Sequence, residues 1–301
     1  MHKIAMKTDG DYWVHDLDGI IVQFTEHIAL RYYGLAYATG FLCAIGLLWW
    51  YHRKGRSPIG PAGLESFGFA LFAGVLIGGR LGFVLLYEID ALWRDPLYVF
   101  RVWEGGMASH GGFIGVCLGV IWFCRKEGLS LLKVGDLVAT VTAPGLLFGR
   151  IANFINGELW GKVTDVSWAV IFPGAQRPGY FRGDQFTVYS EQLGALVNPR
   201  HPSQLYEAGL EGLFLLVYMQ LRFWCSRVYE TKPGHLIGEF FVLYAVVRVL
   251  GEQFREPDAA LIYGLSRGSF YSLVLFIVGV GFIIHARRKW EQEGKLKKHS
   301  L

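Results

Sequence analysis

Seven apolar runs divide the chain: residues 28–50, 64–87, 110–124, 134–155, 205–224, 236–250 and 268–285. About 30 Å of hydrocarbon takes roughly 20 helical residues to cross, so each run is a candidate membrane span. The third is short, although Gly105 and Gly106 allow an earlier start, and the sixth is short and interrupted by Arg248. A strict count would stop at five, and charge along the connectors argues for seven. The connector 51–63 carries Arg53, Lys54 and Arg56 with no acid, which places it in the cytoplasm. The amino-terminal 27 residues carry Lys3 and Lys7 against Asp9, Asp11, Asp16, Asp18 and Glu26, as expected of an outer terminus. Basic residues also lead at Arg125, Lys126 and Lys133, at Arg222, Arg227 and Lys232, and in the tail from Arg287 to Lys298. An outer amino terminus and an inner carboxyl terminus require an odd number of crossings.

The connector 156–204 is too long for a plain turn. Its β-prone pieces, 166–172 and 185–189, are separated by Pro173, Gly174, Pro178 and Gly179, which suggests a small strand-containing outer insertion. The expected fold is therefore all-α and polytopic: one membrane domain over residues 1–301, seven transmembrane helices, and an outer domain at 156–204 between helices four and five. Composition agrees. The chain is 52 % apolar and 18 % charged, where soluble domains are nearer a quarter charged. The net charge of +4 is scattered over connectors rather than gathered into a basic stripe, which argues against nucleic acid. Cys43, Cys117, Cys124 and Cys225 have no paired spacing, so neither a disulfide framework nor a metal site is expected. The polar opening MHKIAMKTDGDYW gives no sign of a cleaved signal peptide.

With orientation set, polar residues inside the runs can be placed by depth. Tyr32 and Tyr33, Arg80, His110, Arg150 and Asn153, Tyr206 and Glu207, and Tyr244 and Arg248 all fall toward the outer ends of their helices, with Glu252 and Arg255 just beyond. A charge in a spanning region costs at least about 2.5 kcal/mol and usually marks a substrate path or a paired network. Two readings of Arg80 and Arg150 follow: outer-end snorkelling or bridging to Glu207 and Glu252, or, with Arg248, a cationic pocket for a phosphate, which guanidinium forks hold at two points. The abundant phosphate at that depth is an anionic lipid headgroup. His110 is either a structural hydrogen bonder or a base near neutrality. Glu158 and Glu207 read as orienting or balancing charges. The stretch 149–161, GRIANFINGELWG, concentrates this chemistry at Arg150, Asn153, Asn156 and Glu158. A transporter should show polar groups reaching the inner side, and the inner halves of the helices read as almost wholly apolar. A lipid-binding scaffold without turnover is the other alternative.

These motifs resemble one family along nearly the whole chain, the bacterial prolipoprotein diacylglyceryl transferases. The matching stretches are GGRLGFVLLY at 78–87, DPLYVFRVWEGGM at 95–107 with SHGGFIG at 109–115, GRIANFINGELWG at 149–161, HPSQLYE at 201–207 and FREPD at 254–258. The resemblance implies a seven-helix inner-membrane enzyme with its active site toward the outer leaflet and no cofactor. Its substrates would be phosphatidylglycerol and the signal-peptide cysteine of a prolipoprotein. It also implies that the family's essential histidine is His110, its central arginine Arg150 and its second arginine Arg248. Asn153, Tyr33 and Tyr244 then contact lipid, and Glu158, Glu207, Glu252 and Arg255 fall on charged family positions. The chain departs from the family at RYYG (31–34), at Ala152 and at SRGSFYS (266–272).

Overall fold

The computed structural model describes residues 12–25, 29–101, 106–176, 180–181, 186–257 and 261–299, with residues 109, 110, 294 and 296–299 described by their backbone alone. Trp103, Glu104, Gly105, Pro178, Gly179 and Gln185 lie outside the described residues. The chain is mostly helical and divides into two compact units, residues 1–44 with 139–301, and residues 45–138. Four helical stretches are long and apolar enough to cross a membrane: Tyr32–Arg53, Pro61–Tyr87, Leu131–Ile155 and Arg267–Glu293. The expected runs at 110–124, 205–224 and 236–250 are also helical, at Ser109–Glu127, over 203–225, and at His235–Glu252.

The unit 45–138 is built on α2 (Pro61–Tyr87) and α4 (Ser109–Glu127), with the short α3 (Ile89–Arg94) and a 3-10 turn (Pro96–Phe100) between them. Gly74, Gly78 and Gly82 on α2 face Gly111 and Gly115 on α4, and a Cβ at Gly78 or Gly115 would run into the opposing backbone. Small residues permit this close crossing where apolar side chains find equally apolar lipid outside. The first turn of α4, which carries His110, is thus positioned by backbone-to-backbone packing, and the Ala108 amide donates to the Gly79 carbonyl at 2.9 Å. Phe67 and Phe123 pack 4.8 Å apart further along.

The first helix, α1 (Tyr32–Arg53), begins later than the apolar run suggests. Residues Ala29–Arg31 form β3, paired antiparallel with β2 (Ile20–Gln23), and the Tyr32 amide donates to the Gly19 carbonyl at 3.0 Å. The fourth run is split into α5 (Leu131–Val141) and α6 (Ala143–Ile155), because Pro144 has no N–H to continue the ladder. The fifth is α7 (Ser203–Glu207), a π-helical turn (Ala208–Phe214) and α8 (Leu215–Cys225). After the short α9 (Val228–Thr231) come α10 (His235–Glu252) and α11 (Arg267–His299), the latter running well past the expected end at 285. Its basic tail stays helical, and Lys232 sits over the Trp290 ring at 4.4 Å.

The insertion 156–204 contains shorter strands than its β-prone pieces suggest. β4 (Val170–Ile171) pairs in parallel with β1 (Trp13–Val14), and β5 (Val188–Ser190) pairs antiparallel with β6 (Ala195–Val197). Tyr12, Val14, Ala169, Ile171, Val188 and Val197 form one small core. The amino-terminal segment therefore belongs to the insertion, a pairing over more than 150 residues that no local pattern announces. The buried Arg200 donates to the carbonyls of Gly161 (3.0 Å) and Tyr180 (2.6 Å) and to Glu256 (3.2 Å).

Candidate functional site

Three of the sequence motifs are knitted together by backbone. The Gly161 amide donates to the His201 carbonyl at 2.9 Å and the Lys162 amide to that of Phe254 at 2.8 Å. A Cβ on Gly161 would press against His201 and Phe254, so only glycine allows that approach. The turn after α6 uses Gly157 at φ +61° and, unusually for a side chain with Cβ, Leu159 at φ +57°, a conformation that costs a non-glycine residue about 1–2 kcal/mol. It is held from the HPSQ stretch: Ser203 Oγ donates to the Leu159 carbonyl (3.2 Å) and Gln204 Nε2 to that of Glu158 (2.6 Å). The spacing of GRIANFINGELWG and HPSQLYE thereby fixes where α6 ends against where α7 begins.

On that frame α6 projects Arg150 and Asn153, the fifth helix Glu207 and Glu211, and α10 Tyr244, Arg248 and Glu252. The α10 residues are four apart, which stacks them along one face. Arg150 Nη1 lies 2.9 Å from Glu207 Oε2, while its Nε and Nη2 donate to Glu211 Oε2 at 3.1 and 2.9 Å. Arg248 Nη1 donates to Glu207 Oε1 (2.7 Å) and to Glu211 Oε1 (3.1 Å), and its Nη2 pairs with Glu252. Arg255 Nη1 reaches Glu207 at 3.4 Å. Three guanidinium groups thus meet three carboxylates. Glu207 and Glu211 are 0 % exposed, whereas the side chains of Arg150 and Arg248 keep 15 % and 11 % of their surface. Tyr244, stacked on Phe240, is within electrostatic reach of Glu211, Arg248, Arg150 and Glu207.

Beside this network Asn153 Nδ2 donates to Glu158 Oε1 at 2.9 Å and to the Tyr33 hydroxyl at 3.4 Å, and Asn156 Nδ2 reaches the same Glu158 oxygen at 3.4 Å. One Glu158 oxygen thus accepts from both asparagines. Tyr37 stands one turn below Tyr33, with ring centroids 5.1 Å apart and its phenol in the field of Glu158 and Arg150. Outside the helices, His201 Nδ1 lies 3.2 Å from the Tyr206 hydroxyl, which accepts a 2.6 Å hydrogen bond from Trp168. Burial, and secondarily Lys162, pulls the His201 imidazole below its ordinary pKa.

The structure brings Arg150, Arg248, Glu207, Glu252, Arg255 and Tyr244 together, and Asn153, Asn156, Glu158 and Tyr33 beside them. Arg80 is 3 % exposed and faces the chain that follows its own helix: it donates to the carbonyls of Tyr98 (2.6 Å), Val99 (3.1 Å) and Gly106 (3.3 Å) and lies 4.7 Å over the Tyr98 ring. Its Nε, Nη1 and Nη2 thus each donate to a backbone carbonyl. The runs 134–155, 205–224 and 236–250 also carry polar groups away from Arg150 and Arg248. Glu239 accepts from Arg222 Nε at 2.7 Å, from His235 Nε2 at 3.2 Å and from Tyr218 at 3.3 Å, and Asp136 is 0 % exposed. His110 opens α4, with its side chain outside the described residues. Glu211 and Tyr37 were not anticipated from the sequence. Both had a signal: each follows a recognised site residue, Glu207 or Tyr33, by four positions in an apolar run.

A helical membrane protein with an ion network shared among its helices is the class that fold and site define. The family model for prolipoprotein diacylglyceryl transferase matches residues 19–285. A Bradyrhizobium diazoefficiens protein named phosphatidylglycerol–prolipoprotein diacylglyceryl transferase is 39 % identical over 275 residues, covering 87 % of this chain and 89 % of its own. The proteins of that name from Proteus mirabilis and Nitrobacter hamburgensis are 40 % and 41 % identical, over 87 % and 85 % of this chain and 90 % and 84 % of theirs. The chain belongs to the prolipoprotein diacylglyceryl transferase family.

Proposed function

We propose that this protein transfers the diacylglyceryl group of phosphatidylglycerol to the signal-peptide cysteine of a prolipoprotein. Its relatives' names supply the reaction. The observation that carries the residue assignment is the joining of Arg150 and Arg248, from separate helices, on Glu207 and Glu211, with part of each guanidinium still uncovered. Those uncovered edges hold the phosphodiester, and Asn153, Tyr33 and Tyr244 complete the lipid contacts. The peptide thiol loses its proton to His110, an imidazole suited to proton transfer near neutrality. The thiolate then attacks the glycerol carbon that bears the phosphate. A C–S bond forms, the C–O bond breaks with its electron pair going to the phosphate oxygen, and glycerol phosphate leaves. Arg150 and Arg248 stabilise the charge that develops on the leaving phosphate, the setting in which fixed donors contribute most.

The fold that serves this reaction has seven crossings, with the amino terminus outside, the carboxyl terminus in the cytoplasm and residues 156–204 on the outer face. The connector charges support it, as do the helical lengths at 109–127, 203–225 and 235–252. The site then opens toward the outer leaflet of the inner membrane. Purified protein given labelled phosphatidylglycerol and a peptide with a lipoprotein-type cysteine is expected to yield a diacylglyceryl thioether and glycerol phosphate. Lipid that stays bound without product would favour a scaffold. Intact kcat at saturating lipid after His110→Ala would remove the histidine from the base role.

A further inference from the structure

Glu211 is fully buried in the π-helical turn of the fifth helix, and its two oxygens go to different arginines. Oε2 accepts from Nε and Nη2 of Arg150, and Oε1 accepts from Nη1 of Arg248. Glu207 also touches both arginines, but it is shared with Arg255. Among the described residues, Glu211 is the carboxylate that gives one oxygen to each of the two central arginines without also serving Arg255. It therefore sets the separation and tilt of their uncovered edges. It also cancels charge: Arg150, Arg248 and Arg255 against Glu207, Glu211 and Glu252 sum to zero.

That balance has a chemical consequence, which rests on the transferase reading. The lipid enters as a phosphodiester with one negative charge, and the phosphate leaves as a monoester that ionises further to a dianion. A strongly positive pocket would hold the product more tightly than the substrate, because each unit of net charge counts once for the diester and twice for the dianion. We propose that Glu211 is a positioning residue for this reaction: it spans Arg150 and Arg248 and supplies one of the negative charges that balance the arginine cluster, so that the pair grips a diester monoanion and releases the phosphomonoester.

The test compares full-length wild type, Glu211→Gln and Glu211→Asp in lipid nanodiscs, with labelled phosphatidylglycerol and a lipobox peptide. The readouts are kcat, KM for the lipid and Ki for glycerol phosphate. Glu211→Gln keeps the shape and removes the charge. It is expected to lower kcat at least about tenfold and to lower Ki for glycerol phosphate by about tenfold, with KM for lipid not raised. Glu211→Asp keeps the charge and shortens the reach. Its Ki is expected to stay near wild type while kcat recovers only in part. A Ki unchanged in Glu211→Gln, or a raised KM with kcat intact, overturns the proposal. Should Glu211→Gln fail to fold, the cycle of Arg248→Lys with Glu211→Asp decides: non-additive losses in kcat support action through the arginine pair, and multiplicative losses refute it. Wild type that forms no thioether would refute the transferase reading instead. Glu211 would then be judged on displacement of bound phosphatidylglycerol by glycerol phosphate, which must become about tenfold more effective in Glu211→Gln or the proposal falls.

Discussion

Arg80 and the pair Arg150 and Arg248 bring the same side chain into apolar helices, and the chain receives them in opposite ways. Arg80 is closed off by carbonyls of residues 98, 99 and 106, all on the chain that follows its own helix. Arg150 and Arg248 meet carboxylates from other helices and keep an uncovered edge. Carbonyls are neutral and fixed by the local backbone, so an arginine held by them shapes a loop. Carboxylates from a separate helix tie the arginine's position to tertiary packing and offset its charge, which leaves it able to take up another anion. Burial of a cation therefore says little about function until its acceptors are known.

The difference can be tested from both sides. Arg150→Lys keeps the charge and loses the fork, and should lower kcat for thioether formation by roughly 10²–10³-fold; a loss of only a few-fold would make the arginine a fold-holding bridge like Arg80. Arg80→Ala leaves three carbonyls without their donors and should cost roughly 3 kcal/mol, measured by unfolding in detergent, with KM for phosphatidylglycerol unchanged. A raised KM instead would return Arg80 to the headgroup. Glu239→Gln weakens the partner of Arg222, His235 and Tyr218 and should cost about 1–2 kcal/mol without altering kcat, since that cluster lies at the far end of α8 from Glu211. The smallest effect concerns pH. Because the folded His201 sits below its ordinary pKa, the unfolded chain takes up the proton first as pH falls. Its contribution is present above about pH 6.5 and is lost as pH drops toward the folded value. His201→Asn should flatten the unfolding midpoint between pH 8 and pH 5, and an unchanged slope would assign that pH dependence elsewhere.

Arg150, Arg248, Glu207 and Glu252 stand out in the sequence because charges in apolar runs are costly and need one another. What the sequence withheld is pairing at a distance. Depth counting places Arg80 beside Arg150 and says nothing of the chain at 98–106 that closes over it. Glu211 is masked by the hydrophobic run that contains it, although its four-residue spacing from Glu207 was readable. The β1–β4 pair joins residues 13 and 170 with two residues on each side, too short for any alternation to register. Helix starts and stops were legible to within a few residues, except where β3 displaces the start of α1 and where the charged tail prolongs α11.

The π-helical turn between Glu207 and Leu215 uncouples the rotation of α8 from that of α7. Its i→i+5 bonds take up an extra residue relative to a regular α-helix, so Glu207 before it and Arg222 after it each keep their own partners. The two ends of this helical segment are therefore phased separately, and substitutions can accumulate at the Arg222 end without misaligning the acids that hold Arg150 and Arg248.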